Sequence, residues 1–269
     1  MEIGLLYLMQ LNNKYLKSED LSIQIFKNGL FFCTKKETYF FDLKKFNFDS
    51  NSLKNFIDEN KIEFDFVELI VFDENSIIIP EDFFDLKKIE DIVSSSMIIK
   101  SDFLTYDKIS ETKQVVLYYF KKENKKVISD FFPKAKIRHF TSQLFKILAE
   151  FSKNNYNKNM FINIRDDFFE IFIYHSNQLL FFNTFNHKII EDFLYYTFYV
   201  MEIQGINQIE SKIFFLSKND KFNKYYDSFS KFYNSTKFLN SKISVSNKYN
   251  HECPIFLDIF ESWILFLDH

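Results

Sequence analysis

The chain has 269 residues, 46% hydrophobic and 26% charged, with a formal net charge of −3 at pH 7 and a pI of about 6.0. That length supports one large domain or two small ones with a sizeable core, and the lack of a basic excess argues against a general nucleic-acid binder. Two cysteines, Cys33 and Cys253, lie far apart without C-x-x-C spacing, which speaks against a disulfide framework or zinc ribbon and reads as reduced thiols of a cytosolic protein.

The opening "MEIGLLYLMQLNNK" holds an apolar run too short for a signal peptide, with Glu2 where a positive residue is expected. Ser22–Lys27 alternates around Ile23 and Ile25 and predicts a strand. Asn28-Gly29 follows and predicts a type I′ hairpin turn, which needs positive φ at both central residues. Leu30–Thr34 and Thr38–Leu43 complete a three-stranded meander. Residues 51–60 predict a helix with Leu53, Phe56 and Ile57 on one face, capped by Ser50 or Ser52. Phe66–Phe72 predicts a buried strand, and Ser76–Ile79 a short strand stopped at Pro80. Pro80 is expected to open a helix carrying Phe83, Phe84 and Leu86. Gln114–Phe120 and Lys136–Phe140 predict strands, and Lys125–Phe132 a helix ending at Pro133. A helix from Thr141 to about Ser152 has Thr141 as its expected N-cap. The polar "KNNYNKN" (Lys153–Asn159) suggests a domain boundary, giving domains 1–155 and 156–269.

The second half repeats the first. Ile162 and Ile164 align with Ile23 and Ile25, Asp167 with Asn28, Phe168 with Gly29, and Phe181-Phe182 with Phe40-Phe41 after a longer second turn. A helix over about 189–204 with Gly205 as C-cap, a strand at Lys212–Leu216 and a helix at Phe222–Phe232 complete the repeat. The closing "IFLDIFESWILFLDH" is interrupted by Asp258 and Glu261 and is shorter than the ~20 residues that span a bilayer. It reads as a terminal helix or strand–helix piece, so no membrane span and a cytoplasmic location are expected.

The segments "LSIQIFKNGLFFC", "SIIIPEDFFD", "IRHFTSQLFKILAE" and "MFINIRDDFFEIFIYHSNQLLFFNTF…EDFLYY" carry a resemblance over nearly the whole chain. Meander, helix, strand and helix form the ribonuclease-H-like unit. Two in tandem resemble the actin-like ATPase superfamily: actin, sugar kinases, heat-shock chaperones and the actin-like pilus-assembly protein. More closely, the chain resembles a bacterial domain-of-unknown-function family with that architecture. The resemblance implies an α/β fold of two tandem ribonuclease-H-like domains with mixed sheets flanked by helices.

It also implies where a nucleotide would sit, between two hairpins of Asp-x-Gly type whose glycines let backbone N–H groups wrap phosphates while the acid helps place Mg²⁺. The first hairpin, Lys27-Asn28-Gly29-Leu30, keeps the glycine without a preceding Asp. The second, Arg165-Asp166-Asp167-Phe168-Phe169, keeps the acids but has phenylalanine where glycine is needed. No glycine follows Gly205, so the adenosine loop has no counterpart. Lys27, Asn28, Gly29, Arg165, Asp166 and Asp167 are thus the cofactor-binding candidates only if a nucleotide binds. The reading taken is no cofactor, with Gly29 assigned to its turn. The first strands carry Ser22, Gln24 and Lys27, or Asn163 and Arg165, in place of the carboxylates of a two-metal nuclease, so no catalytic or metal residue is assigned.

Of five histidines, none has metal-ligand spacing, and His175 is expected at a solvated hairpin tip. Only two arginines occur, Arg138 and Arg165. Each suits bidentate hydrogen bonding or, more simply, a structural ion pair, for example Arg165 with Asp166 or Asp167. Arg165 is expected to face the interdomain cleft. The basic stretch 121–138 could meet RNA but reads first as a solvated face. The expected function is a non-enzymatic interaction or scaffold protein on a degenerate actin-like fold, with an unidentified protein partner. The alternatives are a divergent nucleotide-binding ATPase and an RNA-associated protein.

Overall fold

The computed structural model describes residues 20–26, 29–33, 38–43, 49–62, 66–72, 76–89, 91–92, 103–120, 122–165, 167–207, 210–216 and 222–239. These divide into two compact units, one up to Leu144 and one from Phe145.

In the first unit β1 (Asp20–Phe26), β2 (Gly29–Cys33) and β3 (Thr38–Asp42) form an antiparallel meander leading into helix α1 (Ser50–Asn60). β4 (Phe66–Val71) returns parallel to β1. An inserted antiparallel sheet of β5 (Ser76–Pro80), β6 (Phe103–Ile109) and β7 (Gln114–Phe120), in the order β5-β7-β6, comes next. Helix α2 (Lys122–Phe131), β8 (Lys136–His139) beside β4, and helix α3 (Phe140–Ser152) follow. The main sheet runs β3-β2-β1-β4-β8.

Alternation decides its faces. Leu21, Ile23 and Ile25 join Leu30, Phe32, Val67, Leu69 and Val71 in one core. The stripe Leu53, Phe56 and Ile57 of α1 closes it, with the Phe56 ring 5.4 Å from Phe32 and 5.2 Å from Phe41. Ser22, Gln24 and Glu68 are buried at the intervening positions.

Three expectations change here. Asp49, not Ser50 or Ser52, caps α1: its Oδ1 accepts the Ser52 N–H at 2.9 Å and its Oδ2 accepts the Ser52 hydroxyl at 3.1 Å. The Ser52 N–H holds the Asp49 carboxyl below its ordinary value. The segment after Pro80 is two 3₁₀ turns, Glu81–Phe83 and Leu86–Lys88, with Phe83 and Leu86 exposed. Asp85 interrupts a continuous helix there by accepting the Lys87 N–H at 2.9 Å. Thr141 lies inside α3, and the cap is His139, whose Nδ1 accepts the Thr141 N–H at 3.2 Å. Strand β6 has no counterpart among the sequence-predicted elements.

The second unit consists of β9 (Lys158–Ile164), β10 (Phe168–His175), β11 (Gln178–Asn186), α4 (Ile190–Gln204), β12 (Ser211–Phe215), α5 (Asn223–Ser230) and β13 (Thr236–Phe238). Its sheet runs β11-β10-β9-β12-β13, with β12 parallel to β9 and β13. One face packs against α4 and α5 through Phe193, Phe215, Tyr225 and Phe229. On the other, Phe145 of α3 meets Phe172 and Phe182, and Phe151 meets Phe161 and Phe214. Gly205 ends α4 at φ +60°, donating its N–H to the Glu202 carbonyl, as its C-cap position predicts. Phe145, in the first half of α3, packs on the second sheet.

The two main sheets share strand order and sense. Ile23 sits opposite Phe32, and Ile162 opposite Ile171. The third strands differ from the expected alignment. Leu30 pairs with Phe41, whereas Phe169 pairs with Phe185, so Phe185 rather than Phe182 takes the place of Phe41. The cause is a longer hairpin, turning at Ser176 (φ +54°), with a bulge between Ile173 and Tyr174.

Candidate functional site

The first hairpin closes with Phe26 opposite Gly29. Gly29 opens the return strand, buried and paired with Asp42 as well, and is not a central turn residue as expected. The two residues between, Lys27 and Asn28, lie outside the described residues, as does Asp166 in the second hairpin. There the Arg165 N–H donates to the Phe168 carbonyl at 2.8 Å, giving the same closing geometry. Phe168 therefore stands where the first hairpin has Gly29. The Arg165 guanidinium lies 5.8 Å from the Phe168 ring centroid, a cation–π arrangement. Asp167 is exposed, and Phe169 is fully buried in the core.

Behind the second hairpin stands His187, a residue with no sequence signal of its own. Its N–H donates to the Asp167 carbonyl at 3.1 Å, and its ring Nε2 lies 2.9 Å from the Arg165 carbonyl oxygen. A carbonyl can only accept, so Nε2 carries the proton and Nδ1 accepts from the Tyr225 hydroxyl, 3.1 Å away. The ring is buried. It ties the hairpin's backbone to α5. On β9, Asn163 donates from Nδ2 to Glu170 Oε2 at 2.7 Å, a buried cross-strand pair at the position where a nuclease would carry a metal-binding acid.

The first unit holds a buried ionic cluster. Arg138 on β8 places Nε 3.7 Å from Glu68 Oε1 and a terminal nitrogen 3.6 Å from Asp107 Oδ1. The carboxylates are nearly inaccessible, at 6% and 3% side-chain exposure, against 29% for the arginine. Asp107 also accepts the His139 N–H at 2.7 Å and the Tyr118 hydroxyl at 3.3 Å. Burial raises the Asp107 carboxyl above its ordinary value, against the opposing pull of the His139 N–H and Arg138. Burial and the Asp107 charge raise the Tyr118 hydroxyl as well. The arginine pair of the structural reading is thus real for Arg138, and its partners come from β4 and the inserted β6. In the basic stretch, Lys125 Nζ sits 3.1 Å over the Phe103 ring. His175 is exposed at its hairpin end, as expected, 3.1 Å from the Tyr156 carbonyl oxygen. Among the described residues no helix is long and apolar enough to cross a membrane.

Comparison with solved structures shows the fold. A Bacteroides thetaiotaomicron protein with an actin-like ATPase fold and unknown function matches with a TM-score of 0.68 at 18% identity, covering 82% of this chain and 91% of that one. The PilM–PilN type IV pilus biogenesis complex matches with a TM-score of 0.50 at 11% identity, covering 82% and 88%. No curated protein matches the chain in sequence. The two sheets with their flanking helices are the paired ribonuclease-H-like domains of the actin-like ATPase fold. Residues 9–235 match the model of a protein family of unknown function, DUF3822, and the chain belongs to that family.

Proposed function

We propose that this chain is an interaction or scaffold protein on a degenerate actin-like fold, acting in the cytoplasm through a protein partner and not by hydrolysing nucleotide. One observation carries the reading. The closing position of the second hairpin is Phe168, its ring under Arg165 and its backbone committed to the Arg165 N–H and to the ladder with Asn186. A phosphate cradle needs converging, unobstructed N–H groups, which an aromatic side chain at that position crowds. PilM, of similar fold, forms a complex with PilN in type IV pilus biogenesis, which supports a partner-binding role for such a fold. The common strand order and hairpin register favour descent from one duplicated unit, with halves 1–155 and 156–269. In the basic stretch, Arg138 and Lys125 have internal partners, which gives the RNA reading no support.

Thermal melts with and without Mg-ATP test the proposal. Ligand at about a thousand times its dissociation constant adds roughly 4 kcal/mol of stability, a shift of several degrees. The expected result is no shift and no hydrolysis above background. A rise in melting temperature that Asp166→Ala or Asp167→Ala abolishes would overturn it and make Lys27, Asn28, Gly29, Arg165, Asp166 and Asp167 a nucleotide site.

A further inference from the structure

An exposed sheet edge invites pairing, and folded proteins guard such edges with charge, proline or shortness. The described edge strands here follow that rule with one exception. β3 carries Asp42, β8 Lys136, β13 Lys237, β5 Pro80 and β6 Lys108. β11 is nine residues long, reads "QLLFFNTFN", and carries neither a charge nor a proline. It pairs on one side with β10 and forms the outer edge of its sheet. Leu180 on it is 39% exposed.

The apolar surface continues onto α4. Phe185 of β11 stacks on Tyr196 at 5.1 Å. Tyr195 and Tyr199, one turn apart, lie parallel at 6.4 Å and are 66% and 51% exposed. No basic residue occurs in this helix.

We propose that β11 is a self-association edge, on which a second copy of the chain docks antiparallel across a two-fold axis, with the α4 tyrosines beside the seam. Strand neutrality selects this occupant. Across a two-fold axis each side chain near the centre meets its own copy or that copy's neighbour, so any charge there would meet its like. An edge built to read a charged partner would carry the complementary charge, and β11 carries none. The area fits a modest dimer. At about 200 Å² for a whole aromatic side chain, Tyr195, Tyr196 and Tyr199 expose about 300 Å² together. The strand adds its own outer edge, reaching toward the ~600 Å² per partner of weak specific interfaces. An interface of that size belongs to the weak, transient class.

Sedimentation equilibrium of the full chain across about 1–300 μM tests this. Wild type should pass from monomer to dimer. Asn183, exposed and next to the middle of β11, is the probe. Asn183→Lys and Asn183→Asp, each melting like wild type, should each weaken the dimer about tenfold or more, and an equimolar mixture should restore it. Restoration by mixing separates two-fold pairing from damage to the fold. A wild-type chain that stays monomeric throughout overturns the proposal, as does a dimer that both variants leave intact.

Discussion

Replacing Arg138 by methionine keeps most of its length and removes the cation between Glu68 and Asp107. Both carboxylates are almost wholly buried, and the guanidinium lies 3.7 and 3.6 Å from them. Breaking a buried pair by deleting one partner costs about 3–5 kcal/mol. The distances are long and the arginine is 29% exposed, so water replaces part of what is lost and about 2–3 kcal/mol is the expected cost. The sign with pH is specific. Burial already raises the Asp107 carboxyl in the folded protein, so its ionisation opposes folding at neutral pH. That opposition is relieved as pH falls through the raised value toward 3.8. Without Arg138 the opposition grows, and only proton uptake relieves it. Urea unfolding followed by circular dichroism, at about pH 7.5 and about pH 5, should show the Arg138→Met deficit shrinking at the lower pH. Asp107→Asn in the Arg138→Met background should recover about half of the loss, since the amide oxygen can still accept the His139 N–H. A deficit of equal size at both pH values, or an Asp107→Asn loss that adds to it, would refute the ionic account.

Two further variants probe the second unit. Gly205→Ala should cost about 1 kcal/mol by urea unfolding, because Gly205 sits at φ +60° while the added Cβ would meet only Lys158 Nζ at 3.7 Å, an ordinary contact. His187→Phe should cost about 2 kcal/mol by stranding the Arg165 carbonyl and the Tyr225 hydroxyl. Tyr225→Phe should cost about 1 kcal/mol in the native chain and almost nothing in the His187→Phe background, a coupling that a double-mutant cycle reads directly.

What could be read from the sequence was local. The alternation of Leu21, Ile23 and Ile25 reports a strand whatever surrounds it, and Gly205 after an apolar helical run reports a left-handed cap. The two hairpins were recognisable as equivalents, and their closing registers agree. The position of Gly29 was misjudged by one residue, because Asn-Gly marks a turn without saying which residues are central. The third strands slipped because Phe181, Phe182 and Phe185 look alike in so aromatic a stretch, and the bulge at Ile173/Tyr174 leaves no trace in composition. The ionic cluster was out of reach. Arg138 stood out as one of two arginines, but its partners lie at Glu68 and Asp107, on strands brought beside it only by the fold. His187 failed for the same reason, since Tyr225 reaches it from another helix.

These placements bear on what the chain can do. A phosphate-handling fold would be expected to spend its scarce arginines and its hairpin backbones on ligand. Here Arg138 holds an inserted sheet to the main one through two buried carboxylates, and Arg165 covers a phenylalanine at the tip of its hairpin. The second hairpin is braced by His187 through the backbone carbonyls of Arg165 and Asp167. Rigidity of this kind suits a platform. Among the described residues, the uncharged strand β11 and the tyrosines beside it offer a continuous outward edge and aromatic surface. For a partner-binding role the Asn183 charge pair is the sharper instrument, because it alters that surface while leaving both hairpins and the ionic cluster untouched.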